Sequence, residues 1–210
     1  MKKIAVLVSG GGTNLQALID AQQRGEIING KIALVVSSSP TAYALERAAN
    51  AGIDTIVVNK ADYTDRHELT RALVTQLQSA SIDLVVYAGF MYILTEEISQ
   101  AFPNRIMNVH PALIPSFCGE GCYGLHVHEK ALEYGVKLSG ATVHFASEEC
   151  DGGPIILQKA VPVEQGDTPE TLQRRIMEQA EWKILPEAVS LFCQDRLIVD
   201  GRTVIIKEGI

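Results

Sequence analysis

Short apolar runs alternate with helical patterns through the first half of this chain, and that alternation limits its fold more than any other feature. Lys3 to Val8, Lys31 to Val36, Thr55 to Val58 and Ile82 to Tyr87 each read as a short buried strand. Between them lie segments with apolar residues at helical spacing. Thr13 to Gln23 carries Leu15, Leu18 and Ile19 on one side, Ala42 to Asn50 stops at Gly52, and about Asp65 to Ser79 carries Leu69, Leu73 and Leu77. Strands joined through helices are βαβ crossovers, and these need a sheet covered on both faces. The predicted class is α/β, an open, mostly parallel twisted sheet with helices on both faces.

The second half reads differently. Ile106 to Val109 is a short strand entering a loop-rich stretch, Pro111 to Gly124, and a helix is predicted to start near His126. Two β-like runs follow, Ala141 to Ala146 and Ile155 to Val163, joined by the turn-forming Asp151-Gly152-Gly153-Pro154. A long final helix is expected from Thr168-Pro169, with Leu172, Ile176, Ile184 and Leu185 at helical spacing. Arg196 to Ile206 reads as a small hairpin around Asp200-Gly201. This pattern adds antiparallel strands in a C-terminal lobe. No linker or repeat divides the halves, so residues 1–210 are expected to form a single domain.

Lys plus Arg number 18 against 25 Asp plus Glu, a formal charge of −7. That balance argues against gripping nucleic acid through its phosphates, while permitting a local pocket for a small anion. The apolar run Ile4 to Val8 is too short for a signal-peptide core, and no stretch approaches a membrane span. Cys118, Cys122, Cys150 and Cys193 lack paired CxxC knuckles, so neither a zinc site nor a disulfide framework is expected. The expectation is a reduced, cytoplasmic protein that uses no metal.

Ser9-Gly10-Gly11-Gly12-Thr13-Asn14 joins the first strand to the first helix. In an open parallel sheet, ligands meet strand ends here, and the helix start offers unpaired N–H groups to a phosphate. A dinucleotide fingerprint would need glycine where Leu15 stands and an acid near the end of the second strand, which instead runs Val36-Ser37-Ser38-Ser39. A Walker loop would need Gly-Lys-Ser/Thr. What remains is a site for one phosphate, or a plain turn capped by Thr13.

Asn108 and His110 lie two apart where the fifth strand ends, so their side chains project together. An amide donor beside an imidazole suits acyl transfer, the amide stabilising an oxygen that turns anionic and the imidazole moving a proton. A carboxylate from Asp151 would stabilise the charged imidazole, although Asp before Gly-Gly is also a common turn former. No GxSxG supplies a serine nucleophile. Cys118 and Cys122 near His126 and His128 match no known ligand set. His144 alternates with Val143 and Phe145 in a strand, as structural support or as site lining.

Together these segments resemble the folate-dependent formyltransferases, in particular the glycinamide ribonucleotide type. The resemblance rests on Ser9 to Leu18, Ala88-Gly89-Phe90-Met91-Tyr92-Ile93-Leu94, Asn108-Val109-His110-Pro111, Ser139 to Phe145, and Asp151-Gly152-Gly153-Pro154-Ile155-Ile156. It implies a Rossmann-like formyltransferase fold with a phosphate-binding half, 1–100, and a catalytic and folate-binding half, 101–210. It implies transfer of a formyl group from 10-formyltetrahydrofolate to the amine of 5′-phosphoribosylglycinamide, in purine biosynthesis, by direct attack. Asn108 and protonated His110 would steady the oxyanion, and Asp151 would hold His110 charged and assist the proton shuttle. Gly12, Thr13 and Asn14 would receive the phosphate and ribose end, and Glu181 the ribose hydroxyls, beside Glu178, Gln179 and Ala180. Met91, Tyr92, Ile93 and Leu94 would line the pterin pocket with Asn108, closed by Ser147, Glu148, Glu149, Cys150 and Asp151. Arg66 would attract the folate glutamate. Small-molecule partners are implied, and monomer and homodimer both stay open.

Three features depart from the family pattern. Tyr92 stands where an arginine is common, Trp182 where a histidine is common, and Cys118 to Tyr123 forms a longer loop. Two other acceptors fit the same fold, methionyl-tRNA and water. The acidic charge and the lack of a basic C-terminal domain weigh against the first, and the lack of an N-terminal regulatory domain against the second. A non-catalytic nucleotide-binding module would use the glycine loop alone.

Overall fold

The computed structural model describes residues 1–147 and 149–209. Strand β1 (Lys2–Val8) is the hub, because Ile4 to Val8 are apolar without alternation and all are fully buried. Parallel strands β2 (Gly30–Ser37) and β4 (Leu84–Tyr87) flank it, and β3 (Asp54–Val57) and β5 (Ile106–His110) extend the parallel set on either side. Direction then reverses. β6 (Leu138–Phe145) runs antiparallel to β5, and β7 (Ile155–Pro162) antiparallel to β6. A hairpin of β8 (Leu197–Asp200) and β9 (Thr203–Ile206) completes one nine-stranded sheet in the order β3-β2-β1-β4-β5-β6-β7-β9-β8. β9 meets β7 in parallel at Thr203 and Ile155.

Helices pack on both faces because alternate residues of β1, β4 and β5 feed two cores. Ile4, Val6, Val8, Leu84, Val86 and Met107 face a core built with α1 (Thr13–Gln23), α2 (Ala44–Asn50), α5 (Leu125–Tyr134), α6 (Pro169–Ile176) and α7 (Trp182–Cys193). Ala5, Leu7, Val85 and Ile106 face the other, built with α3 (Arg66–Ser79) and α4 (Glu96–Ala101). Asn108 continues the second face beyond Ile106, so the strand turns polar on that face where the core gives out. No described helix is long and apolar enough to cross a membrane.

Two elements differ from the sequence expectation. α4 has six residues and buries only Ile98, too little periodicity to read from a pattern. The long final helix is broken between α6 and α7 by a π-helical turn, Met177–Glu181. Pro186 follows in α7 and has no N–H to return to the preceding turn. The wide turn leaves Glu181 facing inward and buried, at 6% exposure.

The strand ends place the loops. In a parallel sheet the carboxyl ends of β1, β2, β4 and β5 lie along one edge, and side-chain bonds tie their loops together. Ser38 Oγ donates to Ser9 Oγ at 2.6 Å, Met91 N to the same Ser9 oxygen at 2.8 Å, and Tyr92 OH to Ser38 O at 3.0 Å. The 149–154 turn depends on a glycine. A Cβ on Gly153 would lie 1.7 Å from Phe145 O, so backbone meets backbone there. Gly153→Ala is therefore expected to destabilise the fold by about 1–3 kcal/mol through overpacking. Urea denaturation measures this, and an unchanged midpoint would contradict the close approach.

Candidate active site

Register sets the polar face. Asn108 pairs with His144 and His110 with Thr142 across the β5–β6 ladder, so these four side chains share one face. The 149–154 segment folds back over them and delivers Asp151, whose left-handed backbone (φ 54) re-aims its carboxylate. Asn108 Nδ2 donates to Asp151 Oδ1 at 3.2 Å, and His144 Nε2 lies 3.6 Å from the same oxygen. His110 Nδ1 lies 3.4 Å from Oδ2, and Gly119 N–H donates to that oxygen at 3.0 Å. The three residues expected from sequence to act together do meet, and His144 joins them.

Hydrogen-bond partners fix the proton positions. Phe117 O lies 2.8 Å from His110 Nε2, and a carbonyl can only accept. With Nδ1 facing a carboxylate, the doubly protonated ring satisfies both partners. In the same way Phe145 O, 2.8 Å from His144 Nδ1, accepts a hydrogen bond from that nitrogen, which therefore carries the ring's proton. His144 Nε2 then accepts from Asn108 Nδ2 at 3.2 Å. Both Asn108 amide hydrogens are thus committed, one to His144 and one to Asp151. The amide that sequence aims at a substrate oxygen must exchange one of these bonds to reach it.

Burial alone would raise the Asp151 carboxyl. The charge of His110 and the N–H donors of Gly119 and Asn108 outweigh it, and the net shift is downward. Asp151 is ionised at neutral pH. Behind the cluster, His128 on α5 is fully buried, with no partner on either ring nitrogen among the described residues. Burial, then the charge of His110, push its pKa down to about 4, so it stays neutral.

The glycine loop forms a second group on the same sheet edge. Gly12 is left-handed (φ 69), and a Cβ there would come 2.6 Å from Ala44 Cβ, so only glycine fits. Its neighbours have their carbonyls tied toward α2. Ala44 N–H donates to Gly10 O at 3.1 Å, and Arg47 Nε donates to Gly11 O at 2.8 Å. Thr13 opens α1 and, with Gln16, Asp20, Arg47, Trp182 and Lys183, lines a cavity of about 220 Å³. Asn14 is buried and donates to Glu181 Oε2 at 2.6 Å, while its own Oδ1 has no partner among the described residues. Burial pushes Glu181 up to about 7, and the Asn14 bond only partly opposes it.

The remaining sequence-expected residues are distributed unevenly. Glu178 and Gln179 are exposed, whereas the Ala180 side chain belongs to the main core and offers a ligand nothing. Met91 (56% exposed) and Ile93 (75%) leave apolar surface open beyond β4, and Leu94 packs on the second core. Tyr92 turns back to brace the loop, donating to Ser38 O and accepting from Lys60 N. Arg66 is exposed at the start of α3. Ser147 donates to Glu149 O at 3.0 Å, and Glu149 and Cys150 are exposed. Glu148 lies outside the described residues. Among the described residues, ligand atoms close enough to share an ion occur at His67, Glu96 and Glu97, where Arg71 already sits 3.4 Å from Glu97.

The family model described as formyl transferase matches residues 2–189. The chain belongs to the formyl transferase family. This formyltransferase is 43% identical over 197 residues to phosphoribosylglycinamide formyltransferase of Haemophilus influenzae, covering 94% of this chain and 90% of that one. It overlays on the crystal structure of glycinamide ribonucleotide transformylase 1 from Symbiobacterium toebii with TM-score 0.93 and 47% identity, covering 99% and 95% of the two chains. A formyltetrahydrofolate deformylase from Pseudomonas syringae pv. tomato overlays at TM-score 0.87 with 25% identity, over 99% of this chain and 66% of that one. The formyltransferase fold expected from sequence is therefore present.

Sequence reasoning left His144 between two readings, weighed His128 only as a partner of the loop cysteines, and passed over Arg47. The Asn108–His144 pairing was legible only through strand register. Arg47 sits in a helix pattern where an exposed arginine carries no signal.

Glu181 generates a pH prediction. Its carboxyl is raised, so the folded protein holds a proton that the unfolded chain releases above roughly pH 4.3. Stability is therefore expected to fall as pH climbs from there toward the folded pKa of about 7. Glu181→Gln is expected to flatten that slope in urea titrations at stepped pH. A slope unchanged by the substitution would mean that Glu181 is ionised throughout.

Proposed function

We propose that this formyltransferase moves the formyl group of 10-formyltetrahydrofolate onto the amine of 5′-phosphoribosylglycinamide, giving formylglycinamide ribonucleotide and tetrahydrofolate in purine biosynthesis. The observation that carries the proposal is the convergence of Asn108, His110 and His144 on the buried Asp151 carboxylate, on the same sheet edge as a one-phosphate glycine loop. The identity to phosphoribosylglycinamide formyltransferases over nearly the whole chain supports the acceptor.

The formyl folate supplies the activated carbon, and the exposed apolar surface of Met91 and Ile93 suits a flat ring beside Asn108. Gly12, Thr13 and Asn14 hold the phosphate and ribose through backbone N–H groups, because Ala44 and Arg47 hold the Gly10 and Gly11 carbonyls toward α2. Glu181 accepts the ribose hydroxyls, with the exposed Glu178 and Gln179 at the rim. The attacking amine must lose one proton and the departing nitrogen must gain one. Asp151 accepts the first, since His110 presents its protons to Phe117 O and Asp151 alone. His110 keeps Asp151 poised and returns the proton along the same carboxylate. Asn108 turns one N–H from Asp151 to the formyl oxygen as negative charge grows there. No covalent enzyme intermediate is required. Residues 1–100 serve the phosphate, 101–210 the catalysis and folate, within one domain.

A deformylase reading shares the fold, so acceptor dependence decides between them. Tetrahydrofolate release is expected only when phosphoribosylglycinamide is present, and equal rates without it would sink the transferase reading. Asn108→Ala is expected to lower kcat by about two orders of magnitude or more, the size of a lost oxyanion donor. Asp151→Asn keeps the shape and loses the charge, and is expected to cost at least as much. Wild-type turnover in either variant would return the chain to a binding role.

Arg47→Ala frees the Gly11 carbonyl without touching Asp151. It is expected to raise the KM for phosphoribosylglycinamide about tenfold, one lost charge-assisted hydrogen bond, with kcat nearly unchanged. Steady-state kinetics with Arg47→Lys as the conservative control would show partial recovery. A kcat loss at constant KM would contradict the clamp.

A further inference from the structure

Cys118 and Cys122 lie in the 111–124 loop and Cys150 in the Asp151 turn that this loop contacts through Gly119, and all three are free thiols. Their placement is tied to the site. Cys150 Sγ lies 3.8 Å from Asp151 Oδ2, the oxygen that also takes the Gly119 N–H at 3.0 Å. Cys118 directly precedes Gly119, so its backbone stands beside the contact that Cys150 shares. Cys122 is drawn the other way, its sulfur receiving a hydrogen bond from Lys130 Nζ on α5 at 3.2 Å. Cys150 is exposed and Cys118 half-buried, so a small reagent can reach both.

We propose that Cys118 and Cys150 are an oxidisable pair, closed to a disulfide by a low-molecular-weight disulfide such as oxidised glutathione, and that closure arrests formyl transfer reversibly. This rests on the proposed role of Asp151. One cysteine, as thiolate, attacks the oxidant, forming a mixed disulfide and releasing one small thiol. The second attacks that mixed disulfide, forming the protein S–S bond and releasing the other small thiol. Two protein thiols are oxidised, and one reagent disulfide is reduced to two thiols.

The arrest follows from what flanks the pair. Phe117 O, one residue before Cys118, holds His110, and Gly119 N–H, one residue after, holds Asp151. Phe117 (φ 51) and Asp151 (φ 54) are both non-glycine residues in left-handed backbone, a conformation that persists only where surroundings enforce it. A disulfide requires its Cα atoms roughly 4.4–6.8 Å apart with a fixed torsion, so closing it re-aims the neighbouring Asp151 and pins the loop across the cluster. It also prevents the Asn108–Asp151 exchange that the mechanism requires. Burial and the nearby Asp151 carboxylate push both thiols up, so the exchange is slow at neutral pH and quickens in mild alkali.

The test treats the reduced wild-type protein with oxidised glutathione at about pH 8.5, a pH that raises the thiolate fraction. Digestion without reductant by trypsin and a glutamyl endopeptidase, which cuts after Glu120, separates Cys118 from Cys122 before mass spectrometry. A Cys118–Cys150 peptide is expected, with formyl transfer falling at least about tenfold and returning on dithiothreitol. Cys122→Ser is expected to behave as wild type, and Cys118→Ser to form no cross-link and keep its activity under oxidant. Absence of the Cys118–Cys150 peptide, a Cys118–Cys122 bridge in its place, or cross-linking without loss of activity would each overturn the proposal. The peptide readout needs no activity, so failure of the formyltransferase assignment would be seen separately, as absent turnover in the reduced protein.

Discussion

One buried carboxylate organises the chemistry of this molecule. Asp151 would be an expensive group to hide, since burial alone disfavours its charge. It stays ionised because three donors from two segments converge on its two oxygens: Asn108 from β5 on one, and His110, also from β5, with the Gly119 backbone on the other. Removing any one leaves a desolvated charge with fewer partners. The backbone is shaped around that arrangement. Gly153 lets the turn close against Phe145 O, and the left-handed Asp151 swings its side chain over the sheet face.

The antiparallel addition to a parallel sheet makes this convergence possible. In a purely parallel sheet, the strand beyond β5 would present its carboxyl end at the same edge and its side chains would follow a crossover helix. Because β6 runs back against β5, His144 stands directly opposite Asn108, and the turn leaving β6 reaches the pair by folding over one face. The parallel half supplies what it usually supplies, a row of loops at strand ends. Ser9, Ser38 and Tyr92 bind those loops to one another, so the glycine loop and the 88–95 loop form one connected rim.

Much of the fold was legible because it rests on local rules. Fully apolar β1, the 3.6-residue spacing in α1 and α3, and the proline at the start of α6 each carry their own physical signal. The misses share a cause. α4 fully buries Ile98 alone, and the π-helical turn before Trp182 inserts a change of phase that periodicity reads as continuous helix. In the site, Asn108, His110 and Asp151 were legible as residue types in a spacing, but the commitment of both Asn108 hydrogens was not. It depends on Phe145 O fixing the His144 proton, a contact set by register. Tyr92 illustrates the opposite case. Its substitution pattern suggested a changed ligand contact, while its hydroxyl in fact bridges two loops of the protein itself.

Charge poses a separate problem, and the two clusters answer it differently. A chain with a formal charge of −7 that is proposed to take a phosphorylated sugar must avoid repelling it. Near the glycine loop the buried acid, Glu181, has its pKa pushed up to about 7 by burial, which favours the neutral carboxyl. A ribose hydroxyl donating to it would favour the ionised form, so binding and deprotonation are linked there. At Asp151 the charge is kept and covered instead, by the His110 imidazole, the Asn108 amide and the Gly119 backbone N–H. Exchanging these two solutions would defeat both. A permanently charged Glu181 would face an incoming anion, and a protonated Asp151 would have no capacity to take the amine's proton.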